Sequence, residues 1–302
     1  MDTNHYLISI VGPTAIGKTA LSIKLANYFN TEIISADSRQ FFKEMQIGTA
    51  APTADELAQA PHHFIHNKSV EDVYNVGTFE KEALQTLEHI FKTHRTAIMV
   101  GGSGLYVDAV TRGLDNFPKV DYNIRTGLNA QLDAEGLQAL QSQLKQLDPK
   151  SYETIAIDNP HRVIRALEIC IGTGQPYSSF LNKDKDNRPF KTITVGLKAD
   201  REIIYDRINR RVDIMMEQGL LDEVKQLVDK QHLNALNTVG YKELFNYLNG
   251  EYTLDFAISE IKKNSRRFAK RQLTWFKRNT ETLWFDYETP IETIIKDIQK
   301  KF

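Results

Sequence analysis

Residues 12–19, GPTAIGKT, constrain this chain more than any other stretch. They match the phosphate-loop pattern of Gly, four residues, Gly, Lys and then Ser or Thr. The apolar run 7–11 before them predicts a buried β-strand, and residues 20–29 after them predict a helix with one apolar face. A strand that turns into a helix in this way points backbone N–H groups at one place, on the positive end of the helix dipole. The sequence therefore predicts a phosphate or diphosphate site.

The same loop supplies side chains for that site. Lys18 adds a positive charge, and the Thr19 hydroxyl can hold Mg²⁺. We expect the whole loop to contribute to diphosphate binding, namely Gly12, Pro13, Thr14, Ala15, Ile16, Gly17, Lys18 and Thr19. The pattern does not say which reaction the phosphate group undergoes, and a strand-to-helix turn without a ligand is the alternative.

The composition excludes several classes of protein. The 302 residues suffice for a full α/β core with a smaller second unit. No apolar run approaches 18 residues and no signal peptide is visible, so we expect no membrane partner. The single cysteine, Cys170, excludes an internal disulfide framework and fits a reducing cytosol, and its helical surroundings predict a core position. With a net charge of −1, a polyanionic partner would need a local basic patch.

Residues 31–35 predict a second strand, and Asp37 follows its end. The carboxyl ends of strands are where open α/β sheets bind ligands. One interpretation is that Asp37 or Ser38 caps a helical turn containing Phe41, Phe42 and Met45. The other is that the Asp37 carboxylate faces the phosphate site, where it can accept a proton or hydrogen-bond an amine.

Residues 97–100 predict a third strand that ends in Gly101, Gly102 and Ser103. In many phosphate-loop NTPases this strand ends in an Asp that supports Mg²⁺, and no carboxylate stands here. This weakens the interpretation as an ATPase. Two glycines at the strand end instead indicate that a backbone, a ligand or a base approaches closely.

The segment between the second and third strands is loop-rich at first and carries three histidines within residues 61–66. They could bind a metal, or they could be hydrogen-bonded imidazoles of a folded loop; no Cys or nearby acidic residue completes a metal set. Residues 77–94 then predict an amphipathic helix.

Residues 114–190 are polar and helical, with no strand pattern. Amphipathic helices are expected near residues 124–128, 137–147 and 163–171, and residues 182–188 predict a charged connector. His161, Arg162 and Arg165 open a helix, which could be a solvated basic face or a binding face. We predict an α/β fold, a phosphate-loop NTPase-like parallel sheet flanked by helices, formed by residues 1–113 and 191–302. Residues 114–190 are then a helical insertion domain.

The last third of the chain returns to α/β character. A strand is expected at 192–197, followed by a helix from Asp200 that carries Arg207, Arg210 and Arg211; these could be exposed or could clamp phosphate oxygens. Residues 254–277 predict a long helix with eight basic residues between positions 262 and 278 and no acidic residue among them, which favours a nucleic-acid backbone as partner. Trp275 is expected in the core, and residues 283–285 predict an edge strand.

Taken together, these motifs resemble the bacterial tRNA dimethylallyltransferases, also called tRNA isopentenyltransferases. The resemblance runs from the first strand to Phe276. It is carried in chain order by residues 12–19, 37–40 (DSRQ), 61–63 (PHH), 101–106 (GGSGLY), 159–168 (NPHRVIRALE), 207–213, 239–244 (VGYKEL) and 270–276 (KRQLTWF). The stretches 240–243 and 270–276 are far more specific than the phosphate loop.

The resemblance implies an activity. Members of this family transfer a dimethylallyl group from dimethylallyl diphosphate to the N6 amine of the adenosine 3′-adjacent to the anticodon, in tRNAs reading codons that begin with U. Diphosphate is released and Mg²⁺ is needed. The implied partners are the tRNA anticodon stem-loop and dimethylallyl diphosphate, and we expect a cytoplasmic monomer.

The resemblance also implies roles for single residues. Arg211, Lys18 and Thr19 would act with the loop on the diphosphate, Asp37 would be the general base, and Ser103 would lie near the reacting centre. The residues implied in tRNA binding are Asp37, Ser38, Arg39, Gln40, Ser103, Arg125, His161, Arg162, Val163, Ile164 and Arg165. The basic helix adds Lys270 and Arg271.

This chain departs from the family pattern at two positions. Ser103 stands where most members carry Thr, which keeps the hydroxyl and removes a methyl group. Ile16 stands where a small or polar loop residue is commoner, and its side chain can point away from the ligand.

Three other functions share part of this pattern. A small-molecule kinase would use the loop for ATP. The end of the third strand at residues 101–103 argues against a kinase, because it carries no carboxylate to support Mg²⁺. A prenyltransferase acting on free adenine nucleotides would share the loop and Asp37. A non-catalytic RNA-binding module would explain the basic helix, but it would leave the phosphate loop and Asp37 unexplained.

Overall fold

The computed structural model describes residues 5–181 and 188–302. The predicted connector therefore lies, apart from Arg188, outside the described residues. The chain forms two compact units, Met1–Arg112 with Arg188–Phe302, and Gly113–Asn187. We call them the first and the second unit. Phe190, which we assigned to the insertion, is buried in the core of the first unit.

The first unit is built on one parallel sheet, which confirms the predicted α/β class. The described residues form a sheet of six strands in the order β3-β2-β4-β1-β5-β6, and every pairing is parallel. Its strands are β1 (Tyr6–Val11), β2 (Ile33–Ser35), β3 (His62–His63), β4 (Thr96–Val100), β5 (Lys191–Lys198) and β6 (Leu283–Asp286). The edge strand β6 was predicted. The two-residue edge strand β3 was not, because His62 and His63 lie in a segment without strand periodicity.

The central strand β1 shows why the sheet must be covered on both sides. All six of its residues are buried. Ile8 and Ile10 pack in one core cluster with α-helical residues such as Ile204, whereas Leu7 and Val11 pack in a second cluster. Because successive strand residues point to opposite faces, a continuous apolar strand needs a helical layer on each face.

The helices supply those layers. In chain order they are α1 (Lys18–Phe29), α2 (Ala54–Leu57), α3 (Val76–Ile90), α4 (Gly104–Arg112), α5 (Tyr122–Glu135), α6 (Leu137–Leu147), α7 (Pro149–Thr154), α8 (Pro160–Thr173), α9 (Arg201–Glu217), α10 (Leu220–Lys225), α11 (Tyr241–Leu248), α12 (Leu254–Phe276) and α13 (Ile291–Gln299). Helices α5 to α8 belong to the second unit. Short 3₁₀ turns occur at Tyr177–Phe180, Val228–Lys230 and Asn234–Leu236.

The second unit has its own helical core. Helices α5, α6 and α8 bury a cluster that contains Leu128, Leu140, Leu144 and Leu167. Cys170 is buried in the same cluster, as predicted. Asp148 ties α7 into the unit, because its carboxylate accepts hydrogen bonds from Ser151 and Ser178.

The segment after Asp37 forms turns without a regular helix. Residues 38–41 and 43–44 are turns, and Gln40 N donates to the Asp37 carbonyl oxygen at 3.1 Å. Asp37 still binds the backbone ahead of it, since its Oδ1 accepts a hydrogen bond from Arg39 N at 3.2 Å. Such an Asx turn satisfies the same donor that a helix cap would satisfy.

Within the part of the chain that the structure describes, no helix combines the length and the apolar character needed to cross a bilayer.

Candidate active site

The phosphate loop joins β1 to α1 through a backbone that requires small residues. Gly12 has φ of 145°, and a Cβ there would lie 2.7 Å from the carbonyl oxygen of Leu197 on the neighbouring strand β5. Gly17, the residue before α1, has φ of 106°, and Ala15 has φ of 62°. Other residues rarely adopt the conformations of Gly12 and Gly17, so these two glycines allow the concave shape of the loop. The Ile16 side chain is buried in the core cluster beneath.

Lys18 lies at the first residue of α1 with its ammonium over the loop. Nζ donates a hydrogen bond to the carbonyl oxygen of Pro13 at 2.8 Å. Desolvation lowers the pKa of Lys18 from 10.5 to about 8, a shift that Asp37 opposes and Arg211 reinforces. A bound anion would favour the charged ammonium, so binding of a diphosphate and protonation of Lys18 support each other.

Helix α9 brings arginines to the same loop. Arg207 Nε donates to the carbonyl oxygen of Ala15 at 2.7 Å, and Arg211 Nη2 donates to that of Ala50 at 3.2 Å. Burial lowers the pKa of the Arg211 guanidinium from its ordinary value, and the Asp37 and Glu56 carboxylates oppose the shift. The third arginine, Arg210, instead pairs with Asp206 on an exposed face of α9.

These groups surround a cavity of about 500 Å³, which we call the cradle cavity. It is lined by loop residues 14–19 and by three of the arginines of α9, Arg207, Arg210 and Arg211. A concave site that combines a helix N-terminus with several lysine and arginine side chains is what a diphosphate requires. The predicted loop residues 14–19 and Arg211 are therefore brought together.

A larger cavity of about 780 Å³ adjoins the cradle cavity, and we call it the acceptor cavity. The two share five lining residues: Thr14, Asp37, Thr49, Ala50 and Arg211. The acceptor cavity is also lined by Ser103 and, on an apolar side, by residues such as Val212, Met215 and Phe268. Asp37 thus lies at the junction between an anion site and a partly apolar chamber.

Hydrogen bonds fix the backbone around Asp37. Ser103 Oγ accepts from Ser38 N at 3.0 Å and donates to Ser38 Oγ at 3.0 Å. Ser35 Oγ accepts from Asp37 N at 3.4 Å. The strand ends of β2 and β4 are therefore joined by the hydroxyl of Ser103, which lies directly beside the carboxylate-bearing turn.

The glycines at the end of β4 allow the close approach that the sequence indicated. A Cβ on Gly101 would lie 2.4 Å from the carbonyl oxygen of Ala36, one on Gly102 would lie 2.2 Å from Gln272 Nε2, and one on Gly104 would lie 2.4 Å from the Trp275 ring. The approaching groups are strand β2 and helix α12. Trp275 is only partly buried, and its Nε1 donates to Asp108 Oδ2 at 2.9 Å while its ring lines the acceptor cavity.

Sequence reasoning missed Gln272, which connects α12 to the phosphate loop. Its Oε1 accepts from Thr14 N at 2.8 Å, and its Nε2 donates to the carbonyl oxygen of Gly102 at 3.0 Å. The side chain is 5% exposed. The one available signal was a polar residue at a buried position of an amphipathic helix, since buried polar groups are normally hydrogen-bonded.

Two residues predicted to bind tRNA have side chains engaged with the protein. Arg39 Nη1 donates to the carbonyl oxygens of Asn234 and Ala235 at 3.0 and 2.8 Å. Gln40 Nε2 donates to those of Thr49 and Ala50, both at 3.3 Å. Both side chains hold the walls of the cavities in place.

The second unit gathers other predicted RNA contacts around one buried carboxylate. Glu168 accepts from Arg125 Nε and Nη2 at 3.1 and 2.7 Å and from Arg165 Nη1 at 2.7 Å. These arginines lower the pKa of Glu168 and hold it ionised against its burial. His161 and Arg162 are exposed at the start of α8.

Two further residues predicted as RNA contacts, Val163 and Ile164, point elsewhere. Their side chains are 0% and 2% exposed and pack in the core of the second unit. They therefore shape α8, and an RNA would meet their exposed neighbours first.

The positive charge of α12 is distributed less evenly than its sequence indicates, because some of its basic residues are paired with carboxylates. Lys262 pairs with Asp213 on α9 at 2.5 Å, and Lys263 pairs with Glu260. Lys270 and Arg271 are exposed, and the Arg271 guanidinium stacks over Phe268 and lines the acceptor cavity. The positive charge therefore concentrates at the C-terminal half of the helix.

The histidine-rich segment contributes to the cradle cavity rather than to a metal cluster. His63 Nε2 lies 2.6 Å from Glu32 Oε2, and the His62 ring, held by the carbonyl oxygen of Ala60 at 2.7 Å, lines the cradle cavity. Among residues 5–181 and 188–302 there is no group of three or more His, Cys, Asp and Glu side chains arranged to hold a metal ion.

Comparison with known proteins assigns this chain to a family. The family model described as IPP transferase matches residues 40–279. The tRNA dimethylallyltransferase of Christiangramia forsetii is 60% identical over 298 residues, which cover 99% of both chains and so include the phosphate loop.

Solved structures agree with this match. The full-length tRNA isopentenylpyrophosphate transferase of Bacillus halodurans is 40% identical, with a TM-score of 0.72 over 98% of this chain and 95% of that one. A eukaryotic dimethylallyltransferase, captured in crystals acting on tRNA, is 26% identical, with a TM-score of 0.81 over 98% of this chain and 77% of its own.

The hydrogen bonds of Gln272 generate a test of the site. Replacing Gln272 by Leu leaves Thr14 N and the carbonyl oxygen of Gly102 without partners, so the free energy of unfolding should fall by about 1–3 kcal/mol. The loop should also become less fixed in position, and the dissociation constant for inorganic diphosphate, measured by calorimetry, should rise several-fold.

The matched control is Gln299→Leu, because Gln299 Nε2 forms one exposed hydrogen bond, with the Tyr28 hydroxyl at 3.3 Å. That variant should leave both quantities unchanged. If Gln272→Leu binds diphosphate as tightly as the parent, Gln272 does not position the loop.

Proposed function

This chain belongs to the IPP transferase family, and we propose that it is a tRNA dimethylallyltransferase. It transfers a dimethylallyl group from dimethylallyl diphosphate to the exocyclic N6 amine of an adenosine. That adenosine is 3′-adjacent to the anticodon in tRNAs that read codons beginning with U. Diphosphate is the second product.

The observation that carries the proposal is the position of Asp37 on the wall shared by the cradle cavity and the acceptor cavity. An alkyl transfer needs a leaving-group site and a nucleophile site that meet at one carbon atom. The shared wall provides that meeting point, with positive charge on one side and a carboxylate at the boundary.

The cradle cavity acts on the leaving group. As the bond between the allylic carbon and the bridging oxygen breaks, the diphosphate takes the electron pair and gains negative charge. Loop residues 14–19, Lys18 among them, and Arg211 line this cavity, and donors that are preorganised in this way would stabilise the charge with little reorganisation. The Arg207 guanidinium supports the loop through the Ala15 carbonyl oxygen.

Asp37 acts on the nucleophile. The lone pair of the adenine N6 amine is delocalised into the ring, which makes the amine a weak nucleophile. When N6 bonds to the allylic carbon it must release a proton, and the Asp37 carboxylate accepts it as general base. Ser103 holds the turn that carries Asp37 through its bonds to Ser38.

Mg²⁺ fits the oxygen donors of the cradle cavity. Thr19 and Asp37 both line that cavity, and Mg²⁺ typically takes one or two protein oxygens together with phosphate oxygens and water. Thr19 would hold the ion. When bound, Mg²⁺ would neutralise part of the diphosphate charge.

The RNA partner is the anticodon stem-loop. Its target base must leave the stack to reach an enclosed site. Lys270 and Arg271 on α12 and the exposed start of α8 in the second unit supply phosphate contacts. We propose that the protein acts as a monomer in the cytoplasm, where the tRNA substrate is found.

A transfer assay tests the function against its rivals. The protein is incubated with Mg²⁺ and labelled dimethylallyl diphosphate, and tRNA, AMP or ATP is offered as co-substrate. We expect label in tRNA alone. Label in AMP would indicate a prenyltransferase of free nucleotides, ATP turnover without RNA would indicate a kinase, and tRNA binding without label transfer would indicate a binding module.

The role of Asp37 is tested by Asp37→Asn, which keeps the size of the side chain and removes its basicity. The rate of the chemical step in single turnover should fall by about 10²–10⁴-fold. Binding of tRNA, measured by filter retention, should change little, because the fold around residue 37 is held by Ser35 and Ser103. A rate within a few-fold of the parent would exclude Asp37 as the base.

The basic helix is tested by the salt dependence of tRNA affinity. Neutralising Lys270 and Arg271 to Gln should reduce the slope of log K against log salt by about 0.7–0.9 for each phosphate that the helix no longer neutralises. Lys262 and Lys263, which are paired with Asp213 and Glu260, provide the control pair and should leave the slope nearly unchanged. Equal slopes in the parent protein and in both double variants would show that Lys270 and Arg271 do not contact the RNA backbone.

A further inference from the structure

Residues 46–50 form a wall between the two cavities, and we call them the wall loop. Gly48, Thr49 and Ala50 line the acceptor cavity, and Thr49 and Ala50 also line the cradle cavity. The loop consists of bends and turns without regular secondary structure. Its position must therefore be set by contacts with other parts of the chain.

One atom of the wall loop is bonded to two side chains of the site. The Ala50 carbonyl oxygen accepts from Gln40 Nε2 at 3.3 Å and from Arg211 Nη2 at 3.2 Å. In the proposed function Arg211 acts on the diphosphate, and Gln40, which the family resemblance implies in tRNA binding, lines the cradle cavity with it. A shift of this carbonyl would reorient both side chains together.

The wall loop is held by a single carboxylate, that of Glu223 on α10. Glu223 Oε2 accepts from Gln46 N and Ile47 N at 3.0 and 2.7 Å, and Oε1 accepts from Gly48 N at 2.9 Å. Three successive backbone donors on one carboxylate fix the loop in the manner of an anion in a backbone nest. Charge-assisted bonds of this kind are stronger than neutral ones.

Tyr241, which belongs to the specific stretch 240–243, completes the anchor. Its hydroxyl donates to Glu223 Oε1 at 2.6 Å, and its side chain is fully buried at the start of α11. Burial and the adjacent carboxylate raise the pKa of Tyr241, so it remains a donor. A Cβ on Gly48 would lie 2.5 Å from the Tyr241 ring, which shows how closely the loop packs on it.

We propose that Glu223 and Tyr241 are positioning residues that couple the two substrate sites through the wall loop. The inference rests on the proposed function, because it assigns the two sides of the loop to dimethylallyl diphosphate and tRNA. Neither residue touches the reacting atoms; each acts through Ala50 on Arg211 and Gln40. Loss of the anchor should therefore weaken the binding of both substrates at once.

The test compares Glu223→Gln and Tyr241→Phe with two matched controls in the full-length protein. Glu44→Gln alters another loop-anchoring carboxylate, which accepts from Ser69 Oγ and Val70 N away from the cavities. Tyr6→Phe removes another buried tyrosine hydroxyl, which donates to the carbonyl oxygen of Phe302. Each variant is measured for Tm, for kcat and KM with both substrates, and for binding of inorganic diphosphate with and without the stem-loop.

We expect Glu223→Gln to raise KM for both substrates by about fivefold or more, within the range of ordinary coupling between sites. Tyr241→Phe should act in the same direction and more weakly, and neither control should move KM. The effect of the stem-loop on diphosphate affinity should shrink in Glu223→Gln.

Two results would overturn the inference. One is a drop in Tm and in kcat with both KM values unchanged, which is what a structural role alone produces. The other is a change in KM for one substrate only. Failure of the proposed function is recognised separately, because the parent protein would then transfer no dimethylallyl group, while diphosphate and stem-loop binding by the variants would still decide whether the sites are coupled.

Discussion

The structure depends on keeping a group of partly buried cations charged until an anion arrives. The protein does this with backbone carbonyl oxygens. Lys18 donates to Pro13, Arg207 to Ala15 and Arg211 to Ala50. A carbonyl oxygen satisfies such a donor without cancelling its charge, whereas a carboxylate partner would neutralise it. The carboxylate at the boundary, Asp37, is the group that we propose as the general base.

The glycine-rich end of β4 makes this arrangement possible. Gly102 and Gly104 leave room for Gln272 and Trp275, so α12 lies directly against the strand end. Gln272 can then bind Thr14 N and the Gly102 carbonyl oxygen at the same time. The helix that carries Lys270 and Arg271 is thus connected to the diphosphate loop by one amide side chain. The same pair of hydrogen bonds therefore links the position of this helix to that of the phosphate loop.

The parts of this site that were predictable from sequence are local ones. The phosphate loop is a pattern of eight consecutive residues, and Asp37 follows a strand by two positions, so spacing alone placed both at the ligand edge of the sheet. Gln272 was missed because it acts on Thr14, 258 positions away. Glu223 was missed because its partners lie 175 to 177 positions earlier. The pairs Lys262–Asp213 and Arg125–Glu168 likewise join separate helices, which no count of charges along one helix can detect.

The arginines of the second unit are paired with a carboxylate instead of backbone carbonyl oxygens. Arg125 and Arg165 share the carboxylate of Glu168, so two cations and one buried anion leave a net charge of +1 at that surface. Two guanidinium groups fixed on one carboxylate give up little further conformational entropy when a phosphate binds. If these arginines contact the RNA backbone as proposed, their fixed orientation would help to set the register of a polyanion that makes many contacts. For the diphosphate that we propose for the cradle cavity, carbonyl acceptors leave the charges of Lys18 and Arg211 uncancelled. The carbonyl acceptors of Lys18 and Arg211 therefore suit a compact anion, whereas Arg210, which also lines the cradle cavity, pairs with the Asp206 carboxylate on an exposed face of α9.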